Sequence, residues 1–251
     1  MTPGVVGHTV PMSSAGLLGA LIDGTAAVSG RADPLGAEVL GATFVATFTE
    51  DLIPPIEAAA RREALALLLA VASVTTGGPE QAAANAADRL VAAGIARPRW
   101  AAELAEPVRA TDCRRLHDGN ETASVLVAVF RRASHEHALI IVVDEMDRGA
   151  AAAILLVDAG QLEETLDDIN AGPDLETQLL DEAGFRWYAE KALQARALPD
   201  DASADDDDGP PYPVLAVLVR ARLAAMAEAR PPASARRRGR AVTTLGTFSP
   251  L

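Results

Sequence analysis

Three apolar runs follow one another in the middle of the chain, and only short polar stretches separate them. They read ASVLVAVFRR from Ala123, HALIIVVDE from His137 and AAAILLVD from Ala151. Gaps this short hold no crossover helix, so the pattern predicts consecutive strands paired antiparallel in a meander. The cores VLVAV and ALIIVV lack alternation, which is typical of strands buried on both faces.

The residues around these runs complete an α+β fold. PVRATDCRRLHD predicts a further strand before the meander, and Asp118-Gly119-Asn120 is a strong turn signal. After the meander, the pattern predicts a helix in GQLEETLDDINA, a strand in LETQLLD and a helix in DEAGFRWYAEKALQARAL. We expect a mainly antiparallel sheet with the C-terminal helices on one face and an N-terminal helical bundle packed on the other.

Before Pro107 the pattern is helical and rich in alanine. Helices are predicted at 14–22, 34–50, 55–74, 80–94 and 98–105. In the third of these, a core-facing stripe repeats at intervals of three or four residues. It comprises Ile56, Ala60, Ala64, Leu67, Leu68 and Val71. The short connections indicate antiparallel neighbours, as in a small helical bundle.

These patterns divide the chain into six segments. They predict a disordered N-terminus at 1–12, a helical bundle at 13–106, an antiparallel sheet with two helices at 107–198, an acidic proline-rich connector at 199–213, a C-terminal helix at 214–230 and a disordered arginine-containing tail at 231–251. In the C-terminal helix, we expect Arg220 and Arg222 to mark the polar side.

The net charge excludes several classes of binding partner. A formal charge of −13 repels phosphate backbones and anionic membranes over most of the surface. The exception is the basic cluster of the tail, Arg236, Arg237, Arg238 and Arg240, which is expected to bind nucleic acid only weakly. No apolar run approaches the ~20 residues of a membrane span.

The stretch HEHALIIVVDEMDRG, from His135 to Gly149, carries the residues most suggestive of a metal site. His137 and Asp144 lie seven residues apart, or roughly 23 Å along a strand, so they do not bind one ion. A turn centred on Asp147 and Arg148 instead places His137 opposite Asp158. His135, His137 and Asp158 then resemble a two-histidine, one-carboxylate ligand set. The alternative interpretation, which we favour, is a strand end whose polar residues pair across the sheet.

Two acidic residues of the same stretch are candidates for acid–base catalysis beside such a metal. They are Glu136 and Asp144. We favour the alternative, in which the acidic tip DEMDRG is an ordinary turn, because Asp and Gly suit turn geometry. No Walker loop, GxSxG elbow, HExxH or CxxC pair is present in the sequence.

Trp187 stands out among the few aromatic residues. In the helix FRWYAEK, the residues Phe185, Tyr188, Ala189, Ala192 and Leu193 share the face expected to seal the core. Trp187 lies off that face, beside Lys191, the only lysine of the chain. It is either an interface anchor or a residue packed on the connector or last helix. We take Trp187, Lys191, Asp147 and Arg148 as the candidate interface.

Cys113 is the only cysteine, so no intramolecular disulfide forms, which fits a reducing cytoplasm. No signature of a nucleophilic cysteine surrounds Cys113, and a small buried strand residue is the expected role. No cofactor is predicted.

Four stretches carry a resemblance to other proteins: DPLGAEVLGA, RPRWAAELAEPVRATDC, HALIIVVDEMDRGAAAAILLVDAGQL and FRWYAEKALQARAL. Through them the chain resembles a group of actinobacterial proteins without an assigned activity, over most of residues 33–230. The resemblance implies an intracellular bacterial protein, and it carries over no catalytic or binding residue.

Three functional hypotheses follow. The favoured one is a non-catalytic cytoplasmic adaptor or regulatory protein that contacts an unidentified protein partner, with homo-oligomer formation left open. The second is a metal-dependent hydrolase that uses His135, His137 and Asp158, with Glu136 or Asp144 as acid–base residue. The third, nucleic-acid binding through the arginine tail, predicts weak and steeply salt-dependent association.

Overall fold

The structure, a computed structural model, describes the chain in segments. These are residues 19, 22, 23 and 25, and the ranges 34–48, 50–118, 122–169, 175–196 and 210–232. Several predictions fall outside the described residues: the terminus 1–12, most of the helix 14–22, most of the turn 118–120, most of the connector and the tail beyond Pro232. The described residues form two compact units by their contacts, and the main boundary falls between Ala101 and Ala102.

The first unit is helical. Its helices are α1 (Pro34–Thr47), α2 (Ile53–Ala58), α3 (Arg62–Val74) and α4 (Gly78–Ala92), with a 3₁₀ turn at Glu50–Leu52. Their buried side chains form one cluster that includes Ile56, Leu65, Leu67, Leu68, Ala83 and Leu90. At Gly41 the helices approach so closely that a Cβ atom would lie 2.3 Å from the carbonyl oxygen of Ala70. Glycine is therefore required at this crossing.

The predicted helix 55–74 is wrong in one respect, because it is two helices. The first helix ends at Ala58, and the chain leaves the helical conformation at Ala60, which adopts a positive φ of 49°. The predicted core stripe holds on both sides of this break, since Ile56 and Ala64 are fully buried. Ala60, the predicted stripe residue at the break, is exposed. Periodicity alone does not reveal such a break when neither glycine nor proline marks it.

The second unit contains the sheet. Its elements are α5 (Ala101–Leu104), β1 (Arg109–His117), β2 (Ala123–Arg132), β3 (His135–Asp144), β4 (Ala150–Asp158), α6 (Leu162–Ile169), β5 (Glu176–Leu179), α7 (Glu182–Arg196) and α8 (Tyr212–Ala224). The strand order is β4-β3-β2-β1-β5, and every neighbouring pair is antiparallel. The α+β class and the meander are thus confirmed. None of the described helices combines the length and hydropathy needed to cross a bilayer.

The register of the β3–β4 hairpin agrees with the prediction, because His137 lies directly opposite Asp158. At the tip, however, Asp144 pairs with Ala150, which is one residue out of step with that register. A bulge reconciles the two, since Val142 pairs with Ala153 and Val143 pairs with Ala151. The extra residue, Ala152, therefore restores the register in the body of the hairpin.

The two faces of the sheet are covered by different helices. One face carries Arg115, Phe130 and His137, which contact α7 and α8; we call it the histidine face. The opposite face carries Val125, Val127 and Ile140, which pack against Leu162 and Leu166 of α6. Burial on both faces explains why β2 and β3 read as continuous apolar runs.

Candidate functional site

His135, His137 and Asp158, the alternative metal ligands, share the histidine face. His137 and Asp158 are opposite each other, and His135 is two residues from His137 on the same strand. Each polar group has another partner, however. The Nε2 atom of His135 lies 3.0 Å from a carboxylate oxygen of Glu103, and the Asp158 carboxylate accepts a hydrogen bond from the Gly160 N–H at 2.8 Å.

His137 is removed from metal binding by a buried arginine. Arg222 Nε of α8 donates to His137 Nε2 at 3.1 Å, which occupies the lone pair that a metal would need. Within the ranges that the structure describes, no three His, Cys, Asp or Glu side chains are placed to hold an ion. Strand register brings His135, His137 and Asp158 onto one face, but their side chains make other contacts.

The environment of His137 is that of a protein core. His137 is 3% exposed and stacks on Phe130, with ring centroids 5.9 Å apart, and the Arg222 guanidinium lies 6.0 Å from the Phe130 centroid. Burial, with the positive charges of Arg222 and Arg132, lowers the pKa of His137 to about 3. The imidazole is therefore neutral at physiological pH and serves as an acceptor for Arg222.

The position of Arg222 contradicts the prediction that Arg220 and Arg222 mark the polar side of the C-terminal helix. Arg220 is exposed as predicted, but Arg222 is 1% exposed and faces the sheet. Residues two apart on a helix differ by about 200° in direction, so they do not share one side. Arg222 therefore belongs to the core of this unit.

Glu136 and Asp144, the alternative acid–base residues, both have structural partners. Glu136 accepts a hydrogen bond from Arg131 Nε at 2.7 Å, across the pair of strands. Asp144 Oδ1 accepts hydrogen bonds from the backbone N–H groups of Met146 and Asp147, at 2.9 and 3.2 Å. This turn arrangement agrees with the favoured interpretation of DEMDRG.

The other end of the histidine face also holds a buried arginine, Arg115. Arg115 Nη2 donates to Glu145 Oε1 at 2.9 Å, and Ser124 Oγ donates to the same oxygen at 2.8 Å. The side chain of Arg115 is 6% exposed, whereas that of Glu145 is 25% exposed. Because Glu145 follows directly after β3, this ion pair fastens the hairpin tip to β1 and β2.

The same arginine connects the hairpin tip to α7. Its guanidinium carbon lies 4.9 Å from the ring centroid of Tyr188, and the Trp187 ring meets Tyr188 edge-on at 4.8 Å. Lys191 Nζ lies 5.6 Å from the Trp187 centroid, within the range of a cation–π contact. Trp187 is half-buried and Lys191 is exposed. An unbroken series of contacts thus runs from α7 to the hairpin.

The contacts of Tyr188, Arg115 and Glu145 thus link the predicted interface residues of α7 to those of the hairpin tip. Met146 at the hairpin tip is 79% exposed, and Asp147 and Arg148 beside it form an exposed ion pair at 3.7 Å. Arg148 and Gly149 both adopt positive φ, which fixes the tight turn. We call Met146, Asp147, Arg148, Trp187 and Lys191 the tip surface.

Sequence reasoning missed the residues that join this surface together. They are Arg115, Ser124, Glu145 and Tyr188. One signal was available: Arg114 and Arg115 are consecutive in a strand, so one of them must point to each face. A strand arginine on a covered face needs an acidic partner, and Glu145 is such a partner.

A groove of about 380 Å³ lies elsewhere, between α7 and α8. Its polar lining includes the ion pair of Arg186 and Glu190, with Arg220 on the opposite wall. None of the candidate catalytic or metal-binding residues lines this groove. The structure therefore gives it no catalytic set.

Comparison with known proteins adds no relative. No protein-family model, no curated protein and no solved structure matches this chain.

Proposed function

We propose that this protein is a non-catalytic adaptor or regulatory protein that binds a protein partner through the tip surface. The observation that carries the proposal is Trp187, which stays half-exposed although neighbouring residues tie it to the hairpin. Tryptophan is among the residues that contribute most to protein interfaces, especially where surrounding residues hold it rigidly.

The composition of the tip surface indicates the chemistry of the partner. Met146 and Trp187 offer apolar area, and Met suits contact with varied side chains. Lys191 places one positive charge over the edge of that area. The best-matched partner presents an apolar side chain flanked by a carboxylate. A second copy of this chain is the alternative occupant.

The proposal places the protein in the cytoplasm. Its support is the single thiol, Cys113, which is buried in β1 and forms no disulfide. A chain that relies on no disulfide folds equally well under reducing conditions.

The test is quantitative affinity capture from the native host, followed by direct binding of the purified candidate. We compare the wild-type chain with Trp187→Ala and with Lys191→Glu. A tip-surface partner should bind Trp187→Ala at least about tenfold more weakly, which corresponds to about 1.4 kcal/mol or more.

The matched control is Gln81→Ala, an exposed helical substitution in the first unit. This control should bind the partner as well as the wild type does. A partner that binds the wild type, Trp187→Ala and Lys191→Glu equally well would contradict the proposal. Sedimentation of the wild type alone, over a range of concentrations, reveals whether the partner is a second copy.

A further inference from the structure

The two edges of the sheet differ in what covers their backbone. At the β4 edge, Arg196 of α7 donates hydrogen bonds to the carbonyl oxygens of Ala151 and Ala152, at 3.1 and 3.0 Å. These carbonyls belong to the bulged part of the strand. A charged side chain bound to edge carbonyls hinders the addition of another strand. At the opposite edge, β5 pairs with β1 and with no other described strand.

Alternate residues of β5 direct their backbone groups away from β1. The Leu180 N–H donates a hydrogen bond to the Cys113 carbonyl oxygen at 2.9 Å. In an antiparallel pair, every second residue exchanges hydrogen bonds with the neighbouring strand. Leu180 and Gln178 therefore face β1, whereas the N–H and C=O groups of Thr177 and Leu179 point to the other side. We call Thr177 and Leu179 the β5 edge.

Leu179 places an apolar side chain on the β5 edge. It is 78% exposed, and among the large hydrophobic residues that the structure describes only Met146 of the tip surface is exposed to this extent. Thr177 and Leu179 lie on the sheet face that packs against α6, because Thr177 is opposite Leu116. The strand reads ETQL, without the proline or lysine that commonly protects an edge. Backbone and side chains thus both suit an added strand.

Acidic residues surround the β5 edge. Helix α6 lies beside β5, since Ile169 and Leu175 pack against the same core cluster. The exposed carboxylates of this region belong to Glu163, Glu164, Asp167, Asp168, Glu176 and Asp181. Among these described residues, Glu163 pairs with Arg114 and Asp181 pairs with Arg230. The region therefore keeps a negative charge, which attracts a basic segment.

We propose that the β5 edge binds a short, basic, extended segment of a partner protein, which adds to the sheet as a sixth strand antiparallel to β5. The segment exchanges backbone hydrogen bonds with Thr177 and Leu179, its apolar side chains cover Leu179, and its basic residues lie near the carboxylates. A second copy of this chain is a poorer occupant, because it would bring two acidic regions together. The β5 edge shares no residue with the tip surface, so this binding is independent of the proposed function.

Fluorescence anisotropy of a labelled peptide, KTVTVTK with blocked termini, tests the proposal on the full-length chain. Its valines and lysines share one face of a strand, so valines opposite Thr177 and Leu179 place a lysine opposite Asp181. The valine N–H groups then point to β5, and the threonine N–H groups point away. We expect N-methylation of both valine amides to weaken binding at least about tenfold, whereas N-methylation of two threonine amides should change it less than about twofold.

A substitution in the protein tests the same hydrogen bonds from the other side. Thr177→Pro removes an outward N–H group without removing a hydrogen bond to β1, which is the position that proline tolerates in an edge strand. We expect it to bind KTVTVTK at least about tenfold more weakly than the wild type does. Thr177→Val keeps the N–H group and is the matched control, with an affinity expected within about twofold of wild type. Urea denaturation verifies that both variants are folded, and the methylated peptides, measured on the wild type, decide the question if Thr177→Pro is not.

The charge of the segment is tested with ETVTVTE, which has the same strand pattern and the opposite charge. This peptide should bind at least about tenfold more weakly than KTVTVTK, and added salt should reduce the difference. Equal binding of the plain, valine-methylated and threonine-methylated peptides would overturn the proposal, as would no binding of KTVTVTK. A wild-type dimer in sedimentation that Thr177→Pro abolishes would assign the β5 edge to a second copy, and would likewise overturn it.

Discussion

Arg115 and Arg222 are both buried on the histidine face, at positions about 13 Å apart along β2, and they differ in what lies beyond them. Arg222 meets the neutral imidazole of His137 and the ring of Phe130, all within the core. Arg115 meets Glu145 and Tyr188, and this contact series continues to the half-exposed Trp187. Buried polar residues therefore mark a binding site only where they lead to the surface.

The largest effect on stability is expected at Arg222, whose contacts all lie within the core. Arg222→Ala removes a long buried side chain and leaves His137 without its donor. The free energy of unfolding should fall by about 3–5 kcal/mol, as measured by urea denaturation. Arg220→Ala is the matched control, two residues away but exposed, and should change stability by less than about 0.5 kcal/mol. Equal effects of the two substitutions would show that Arg222 is not part of the core.

Loss of the ion pair between Arg115 and Glu145 should lower the stability less than loss of Arg222, because Glu145 keeps some contact with water. Glu145→Ala should lower the free energy of unfolding by about 1.5–3 kcal/mol, since it leaves Arg115 and Ser124 without their shared acceptor. Urea denaturation measures this change, with Asp147→Ala as control. Because the hairpin tip is released, Glu145→Ala should also weaken partner binding. If Glu145→Ala were destabilised and still bound the partner normally, the ion pair would not be needed for binding through the tip surface.

The pH dependence of stability distinguishes the two ends further. The pKa of His137 is about 3 in the folded protein and near 6.5 in the unfolded chain, so the unfolded chain binds more protons between these values. This contribution to stability is present above pH 6.5 and is lost as the pH falls toward 3. Between pH 7 and pH 5 we expect a loss of about 2 kcal/mol. Thermal unfolding at several pH values measures it.

His137→Gln keeps an acceptor near Arg222 without a titrating group, so the loss between pH 7 and pH 5 should decrease by that amount. Gln81→Ala, which changes no titrating group, should retain the wild-type dependence. If His137→Gln followed the wild-type curve, another group would be responsible for the acid sensitivity.

The smallest effect on stability is expected at the surface itself. Trp187→Ala removes a half-buried ring that meets Tyr188 edge-on, and we expect it to lower the free energy of unfolding by about 1 kcal/mol or less. The partner-binding experiment described above should nevertheless show its largest loss for this variant. If Trp187→Ala were strongly destabilised and still bound the partner normally, Trp187 would belong to the core and not to the interface.

The sequence was sufficient for the sheet because its information is local. Short gaps between apolar runs determine a meander, and the hairpin turn determines which residue lies opposite His137. The bulge at Ala152 left that pairing intact while the tip shifted by one residue. The break at Ala59–Arg61 was missed because alanine does not reveal a positive φ. In the same way, composition did not distinguish the exposed Arg220 from the buried Arg222.

The site was harder to predict than the fold. Trp187 and the hairpin tip were each selected as interface candidates, but from unrelated signals. What joins them is the contact of Arg115 with both Glu145 and Tyr188, which depends on how α7 lies on the sheet. The metal triad shows the converse, since the register was predicted while the side-chain partners, Arg222 and Glu103, were not.

Cys113 provides a native sensor of local opening where β1 pairs with β5. Burial, together with nearby carboxylates, raises the pKa of its thiol to about 12, so the reactive thiolate is scarce while β1 stays covered. Cys113 lies in β1, beside the Leu180 N–H that continues the pairing with β5. The alkylation rate of this one thiol therefore reports how often that margin of the sheet separates, without any label having to be engineered into the chain.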